Sequence, residues 1–332
     1  MQNLVFLNLR ETSISVLTPC IQNLKKLSVL MFDRNGSYEI FKQIPIPIEH
    51  LIKLGNLSVL YLQHSKFKEL DKDFGRLVNL RVIDFTCTKI DIIRSKVFSS
   101  LKNLEVLYMH TSFDHWKANN DEDVDCMAFE ELSTLENLYE LRVDITNKDI
   151  ISDKYKVIQN FLSFKHFSIR SGFGYLSSHM SMDINYLVLD QNIENIAQWL
   201  KLLLIKTKKL LMVVDCQHSV NALINPDFEN DIHNLEFLMI DNSSNYKNAI
   251  QAFECMCAPE ECPYNMKVQW ASMEIIHVLY CPNWKPRLIF GQQSVPALQA
   301  FYCKKEWLEQ LNWDDKDKKK QNQSVHLEIS KN

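Results

Sequence analysis

Residues 57–70 read L-S-V-L-Y-L-Q-H-S-K-F-K-E-L, and residues 80–93 read L-R-V-I-D-F-T-C-T-K-I-D-I-I. Both stretches place apolar residues at the first, fourth and sixth positions, Leu57, Leu60 and Leu62 in one and Leu80, Ile83 and Phe85 in the other. A small polar residue follows three positions later, Ser65 or Thr88, and two further apolar residues keep register, Phe67 with Leu70 and Ile90 with Ile93. Alternation over the fourth to sixth positions describes a short strand with one apolar side. The polar residue turns the chain and satisfies backbone groups that so short a strand leaves open.

The same unit recurs along the chain. Copies begin at Leu4, Leu27, Leu104, Leu138, Phe164, Ile184, Thr207, Leu235 and Met273, giving about eleven units with the two above. Their spacings run from 20 to 38 residues, most of them close to the period of a leucine-rich repeat. The turn position holds Thr12, Asn35, Ser112, Thr146, Gly172, Asn192, Asp215, Ser243 and Cys281 in the remaining copies. One such unit cannot bury its apolar edge alone, whereas stacked units place every Leu row in a continuous core. The expected fold is therefore an α/β solenoid, a leucine-rich-repeat horseshoe with a curved parallel sheet on its concave face and irregular or short helical return segments. The chain has 332 residues, of which 46% are hydrophobic and only six are Gly, so apolar content suffices for such a core.

Positions that alternate with the Leu rows point to the concave face, and there the sequence places aromatic residues beside charges of both signs. Tyr and Arg are the residue types that dominate contact surfaces, whereas a merely solvated sheet favours Thr, Lys and Glu. Tyr61, Gln63, Tyr108, His110, Arg142, Arg170, Tyr186 and Asp190 are accordingly the candidate partner-binding residues.

Five segments are expected: regular repeats over 1–112, an acidic insertion loop over 113–128 that contains Trp116, degenerate repeats over 129–290, a C-terminal cap over 291–313, and a disordered polar tail over 314–332. Within the third, a loop near 252–270 carries Cys255, Cys257 and Cys262; within the fourth, Trp307, Leu308, Leu311 and Trp313 have the spacing of a capping helix.

With 37 basic and 41 acidic residues the chain lacks the positive surplus that holds phosphates, which speaks against a nucleic-acid partner, and the run Lys316–Lys320 lies in the tail. The most apolar window, Trp199–Val214, is cut by Lys201, Lys206, Lys208 and Lys209, so no membrane span is expected. No secretory leader is legible at the N-terminus, and nine irregularly spaced Cys do not form a disulfide framework, so the expected location is cytoplasmic. Cys255, Cys257 and Cys262 with His277 or Cys281 do not match a zinc-finger spacing and read as small apolar residues. His110 or His115 with Asp114 has no nucleophile placed nearby, and Gly172-Phe173-Gly174 reads as a tight turn. No catalytic residue, cofactor or metal site is expected.

Several segments resemble the leucine-rich-repeat region of plant intracellular nucleotide-binding leucine-rich-repeat disease resistance proteins of the coiled-coil type. N-L-V-F-L-N-L-R-E-T-S-I-S-V-L from Asn3 to Leu17, followed by Thr18-Pro19, looks like that family's first repeats, and Ile44-Pro45 is a similar step. Trp199–Leu210 resembles its late helix-to-strand segment, His277–Asn283 its strand ending in Cys-Pro-Asn, and Glu306–Trp313 its Trp-containing closing motif.

The family's phosphate-binding loop, Gly-x-x-x-x-Gly-Lys-Ser/Thr, does not occur in this sequence, so the likeness is to the repeat region alone. It implies a protein-recognition module of plant innate immunity, which senses a pathogen effector or guarded host protein, or restrains a nucleotide-binding domain. A substrate-recognition subunit of a ubiquitin ligase is the alternative; it would need an adaptor-binding segment ahead of the repeats. An extracellular receptor ectodomain would need paired Cys caps and a Leu-x-Gly-x-Ile-Pro return segment. Because Leu4, Leu7 and Leu9 belong to interior rows, the first coil is expected to need cover from a polar cap or a preceding domain.

Overall fold

The computed structural model describes residues 2–10, 12, 14, 17–32, 44–118, 125–152, 164–171, 185–190, 196–212, 234–241, 272–279, 289–290, 297, 300–302 and 312–313. Two compact units are present, Met1–Ile184 and Asn185–Asn332.

In the first unit each repeat forms a strand from its third position, to the fifth in β1 (Phe6–Asn8), β2 (Val29–Met31), β3 (Val59–Tyr61), β4 (Val82–Asp84) and β5 (Val106–Tyr108) and to the eighth in β6 (Glu140–Ile145) and β7 (His166–Ser171). They pair in chain order and all in parallel. The register aligns equivalent positions: Leu7, Leu30, Leu60, Ile83, Leu107, Leu141 and Phe167 form one row across the unit. From Leu30 to Phe167 this row is at most 1% exposed, and the row of Leu27, Leu57, Leu80, Leu104 and Leu138 is buried with it. Burying one such side chain contributes about 1.5–3 kcal/mol, so the stacked rows carry most of the unit's stability. Leu4, Leu7 and Leu9 in the first coil are only half-buried, and Val5 and Phe6 are exposed.

Return segments are short. They contain 3-10 turns at Pro19–Asn23, Lys72–Arg76, Phe98–Ser100 and Phe129–Thr134, and single-turn helices α1 (Ile48–Leu51) and α2 (Lys148–Ile151). Pro19 opens the first of these, and the Asp71 carboxylate accepts from the Asp73 N–H to cap the second. Minor parallel pairs, Ile44–Pro45 with Ser65–Lys66 and Glu69–Leu70 with Ile92–Ile93, knit neighbouring coils together on the return side.

The turn position behaves as its chemistry requires. Thr12 Oγ1 donates to the Leu9 carbonyl, Thr88 Oγ1 to that of Leu62 and Thr146 Oγ1 to that of Asp114, each at 2.7–2.8 Å. Ser112 is an exception, its buried hydroxyl lacking a partner. The residue just before this position takes a left-handed backbone in three consecutive coils, at His64, Cys87 and Thr111, which aims the following polar side chain inward.

Both ends of the acidic insertion are tied down. Phe113 and Trp116 are buried, and the Trp116 ring packs edge-on against Phe113 and Phe129 with centroids 5.1 and 5.5 Å away. Asp125, at its far end, is held by Arg94 and Lys72.

In the second unit β8 (Tyr186–Leu189), β9 (Lys209–Met212), β10 (Phe237–Asp241), β11 (Ile275–Leu279) and β12 (Ala300–Tyr302) repeat the arrangement, again parallel and in chain order. Helix α3 (Gln198–Leu204) buries Trp199, Leu200, Leu203 and Leu204 at helical spacing. The strand pair Ile289–Phe290 with Asn312–Trp313 lies within the expected cap region. Asn35, residues 119–124, Gly172–Gly174, the Cys loop near 252–270, Cys281, the side chains of His277 and Trp313, Trp307, Leu308, Leu311 and the tail all lie outside the described residues.

Candidate partner-binding face

Opposite the Leu rows, the first unit presents two aligned rows of outward positions. One runs Phe6, Val29, Val59, Val82, Val106, Glu140, His166; the next runs Asn8, Met31, Tyr61, Asp84, Tyr108, Arg142, Ser168. A third continues beyond the strand ends through Gln63, Thr86, His110, Asp144 and Arg170. Leu60 and Leu107 are fully buried while Tyr61 and Tyr108 are partly exposed, so the alternation read from the sequence is in the right register.

Two side-chain clusters fix this face. In the first, the Tyr108 hydroxyl donates to Glu140 Oε1 at 2.7 Å and Arg142 Nη2 donates to the same oxygen at 2.9 Å. The Arg142 guanidinium lies over the Tyr108 ring, 4.2 Å from its centroid. Such stacking on a partly desolvated ring is worth about 0.5–2 kcal/mol, and it holds the guanidinium in one orientation. Burial, and the bond to Glu140, push the Tyr108 hydroxyl well above its ordinary pKa, so it remains a donor.

Asp144 organises the second cluster. Its Oδ1 accepts from His110 Nδ1 at 2.9 Å and from Arg170 Nε at 2.5 Å; its Oδ2 accepts from Arg170 Nη2 at 2.7 Å and from the Thr111 backbone N–H at 2.6 Å. Burial acts to raise the Asp144 pKa, but the hydrogen bonds and positive charge around it outweigh that and hold the carboxyl below its ordinary range. An ionised Asp144 accepts only, so Nδ1 of His110 carries the proton. Burial lowers the His110 pKa, leaving the ring neutral at neutral pH, and its bare Nε2 then accepts from the Ser168 hydroxyl at 2.9 Å. The chain of Ser168, His110 and Asp144 is thus a largely buried, satisfied network, with Ser168 only 3% exposed and Asp144 engaged by the Arg170 fork. A smaller bond of the same kind joins Gln63 Nε2 to Asp84 Oδ2, and burial pushes the Asp84 carboxyl above its ordinary range.

The eight expected contact residues therefore divide. Tyr61, Tyr108, His110 and Arg142 lie together on the first unit's face and keep partial exposure. Gln63 and Arg170 share that face but are buried, because each spends its donors on a carboxylate; the expectation that they offer free surface is corrected. Tyr186 and Asp190 belong to the second unit, where Tyr186 is 6% exposed and so is not open surface as expected; Asp190 is half-buried.

The alternation also places the acceptors Asp84, Glu140 and Asp144 on this face, though not among the candidate contact residues. Sequence reasoning missed a ladder of Asn side chains at the return-to-strand corner. Asn56, Asn79, Asn103, Asn137 and Asn234 donate to the carbonyls of Lys25, Gly55, Val78, Lys102 and Ile205, each in the coil before, at 2.7–2.9 Å. Its signal was legible: every one of these Asn immediately precedes the first Leu of a unit.

With this geometry in view, the chain can be set beside known proteins. The Leucine rich repeat family pattern matches residues 55–111, the stretch in which the repeats are most regular. No curated protein matches the chain by sequence. Among solved structures, an internalin of Listeria monocytogenes (InlF) is 11% identical, with 95% of this chain and 87% of that one covered and a TM-score of 0.47. A leucine-rich-repeat protein of Leptospira interrogans is 15% identical, covering 95% and 73% at a TM-score of 0.45. The plant peptide hormone receptor RGFR1, in complex with RGF2, is 12% identical, covering 95% and 48% at 0.47. The matched repeats and the in-register parallel strands define a leucine-rich-repeat domain of α/β solenoid type. Among the described residues no helix is long and apolar enough to cross a membrane, and no group of three His, Cys, Asp or Glu could hold a metal ion.

Proposed function

We propose that this chain is a protein-recognition module of plant innate immunity, working in the cytoplasm and contacting its partner through the face of β3 to β7. The partner is a pathogen effector, a guarded host protein or a nucleotide-binding switch domain. The observation that carries this reading is the Tyr108–Arg142–Glu140 cluster: an aromatic ring and a guanidinium, the commonest anchors of protein interfaces, are held in one geometry before any partner arrives. Pre-ordering these side chains reduces the entropy lost on association. The resemblance of Asn3–Leu17, Trp199–Leu210, His277–Asn283 and Glu306–Trp313 to plant resistance proteins supports the immune role.

Site-specific photo-crosslinking in plant leaf cells tests it. A benzophenone amino acid replaces Tyr108 in one variant and Lys102, exposed on the return side, in another. The Tyr108 variant is expected to capture a discrete protein that the Lys102 variant does not. Equal capture by both, or none by either, overturns the proposal.

A further inference from the structure

The acidic insertion is anchored by two different kinds of contact. At its base Phe113, Trp116, Met127 and Phe129 are buried. Backbone bonds close the base as well, with the Phe129 N–H donating to the Lys117 carbonyl and the Met127 N–H to that of Ile93, both at 2.9 Å. Two residues further out the chemistry changes. Asp125 is exposed, and its carbonyl accepts from the Ser95 N–H at 3.1 Å. Its carboxylate meets two cations, Oδ2 accepting from Arg94 Nη1 at 2.7 Å and Oδ1 lying 3.2 Å from Lys72 Nζ.

The side that receives Asp125 is fixed independently of it. Arg94 Nε donates to Glu69 Oε1 at 2.5 Å, the Arg94 backbone N–H donates to the Leu70 carbonyl at 3.0 Å, and Glu131 Oε2 accepts from the Lys96 N–H at 2.7 Å. The guanidinium is therefore oriented by Glu69 in the coil before, and Asp125 is the partner that can leave. Solvent reaches the junction: the Asp125 and Lys72 side chains are more than half exposed, and with Arg94, Glu69, Asp71 and Asp73 they line an open cleft. Exposed ion pairs are individually weak and are screened by salt. Lys72 and Arg94 hold the Asp125 carboxyl below its ordinary range, so it keeps its charge in mild acid and ionic strength is the lever.

We infer that residues 125–126 form an ionic latch, hinged at Met127, which holds the return arm of the insertion against the coils of Lys72 and Arg94 and opens when those charges are screened. The device is separate from the recognition reading, since none of its residues lies on β1 to β7. Opening frees the Ser95 N–H and both cations while the buried base stays closed, a local opening of low free energy on a stable coil.

Amide hydrogen exchange in the full chain, read by NMR at about 50 mM and about 500 mM NaCl, tests the latch. The Ser95 amide reports the arm and the Phe129 amide the base. In wild type the Ser95 amide is expected to exchange roughly threefold or more faster at the higher salt, with Phe129 changing by less than about twofold. Asp125→Asn keeps the size of the side chain and removes its charge. Its Ser95 amide is expected to exchange at low salt at least as fast as that of wild type at high salt, and to respond to salt by less than about twofold. A wild-type Ser95 amide indifferent to salt, or one unchanged by Asp125→Asn, would overturn the inference. A Phe129 amide that accelerates together with Ser95 would overturn it too, because the insertion would then be unfolding from its base.

Discussion

Asp144 on β6 and Arg170 on β7 face each other as a forked pair, with Nε on Oδ1 and Nη2 on Oδ2, and both side chains are buried. The same carboxylate receives His110, just beyond the end of β5, and the Thr111 N–H, so one buried charge fastens three consecutive coils. Removing one partner from such a pair leaves an uncompensated charge, which costs more than the pair itself contributes.

Asp144→Ala is therefore expected to destabilise the first unit by about 3–5 kcal/mol. Arg170→Met in the same background should restore part of that loss, because the stranded guanidinium is gone. Urea unfolding of the two single variants and the double variant measures the coupling; strictly additive losses would show that the fork has no special standing.

The pH dependence follows from His110. Its folded pKa lies below the unfolded value of about 6.5, because burial disfavours the imidazolium. The unfolded chain therefore binds the proton first as pH falls. The contribution is fully present above the unfolded pKa and is lost as pH drops through about 6.5 toward the folded pKa, with a slope of at most about 1.4 kcal/mol per pH unit. Asp84, raised by burial, contributes with the opposite sign at lower pH. His110→Asn keeps a donor for Asp144 but does not titrate, so the difference between its stability curve and that of wild type between about pH 7 and pH 5 isolates the effect. Parallel curves would contradict it.

How much of this was legible in the sequence depends on which rule governs each residue. Leu60, Ile83 and Leu107 follow a period that burial enforces, since a one-residue slip would expose every row, and their placement was readable. Thr88 was readable because its hydroxyl serves the backbone of its neighbouring coil. Gln63, Arg170 and Tyr186 were misjudged, because alternation says which way a side chain leaves the strand but not what stands opposite it. Arg170 meets Asp144, 26 residues earlier in the chain, and that partner is chosen by strand register. Trp116 sits in an acidic stretch and yet is buried, its indole N–H donating to the Asp144 carbonyl at 2.8 Å. Nothing in the local composition marks a contact between an insertion and the strand after it.

Leu107 and Tyr108 are chain neighbours on opposite sides of β5. Leu107→Ala should cost roughly 2–5 kcal/mol as a core truncation. Tyr108→Phe removes only the bond to Glu140 and should cost about 0.5–1.5 kcal/mol. Comparable losses on chemical denaturation would mean that the Tyr108 hydroxyl is a structural bond as costly to remove as a core side chain, rather than part of a surface placed for contact.

The Asn ladder predicts a repeated small penalty. Asn103→Ala leaves the Val78 carbonyl to water at an exposed corner and should cost about 0.5–1.5 kcal/mol. Asn79→Ala, one coil earlier, should cost a similar amount, and hydrogen exchange at the amides of Leu80 and Leu104 would register both. Unchanged exchange would show that the corner holds without its side chains.

Recognition of a protein by the face of β3 to β7 is measured by the affinity of the partner captured from position 108 for four folded chains. These are wild type, Tyr108→Ala, Arg142→Ala and, on the return side, Lys72→Ala. Tyr108→Ala and Arg142→Ala are each expected to weaken binding roughly tenfold or more, as anchors do, and Lys72→Ala to change it by less than about twofold. Full affinity in both face variants, or a loss confined to Lys72→Ala, would contradict it.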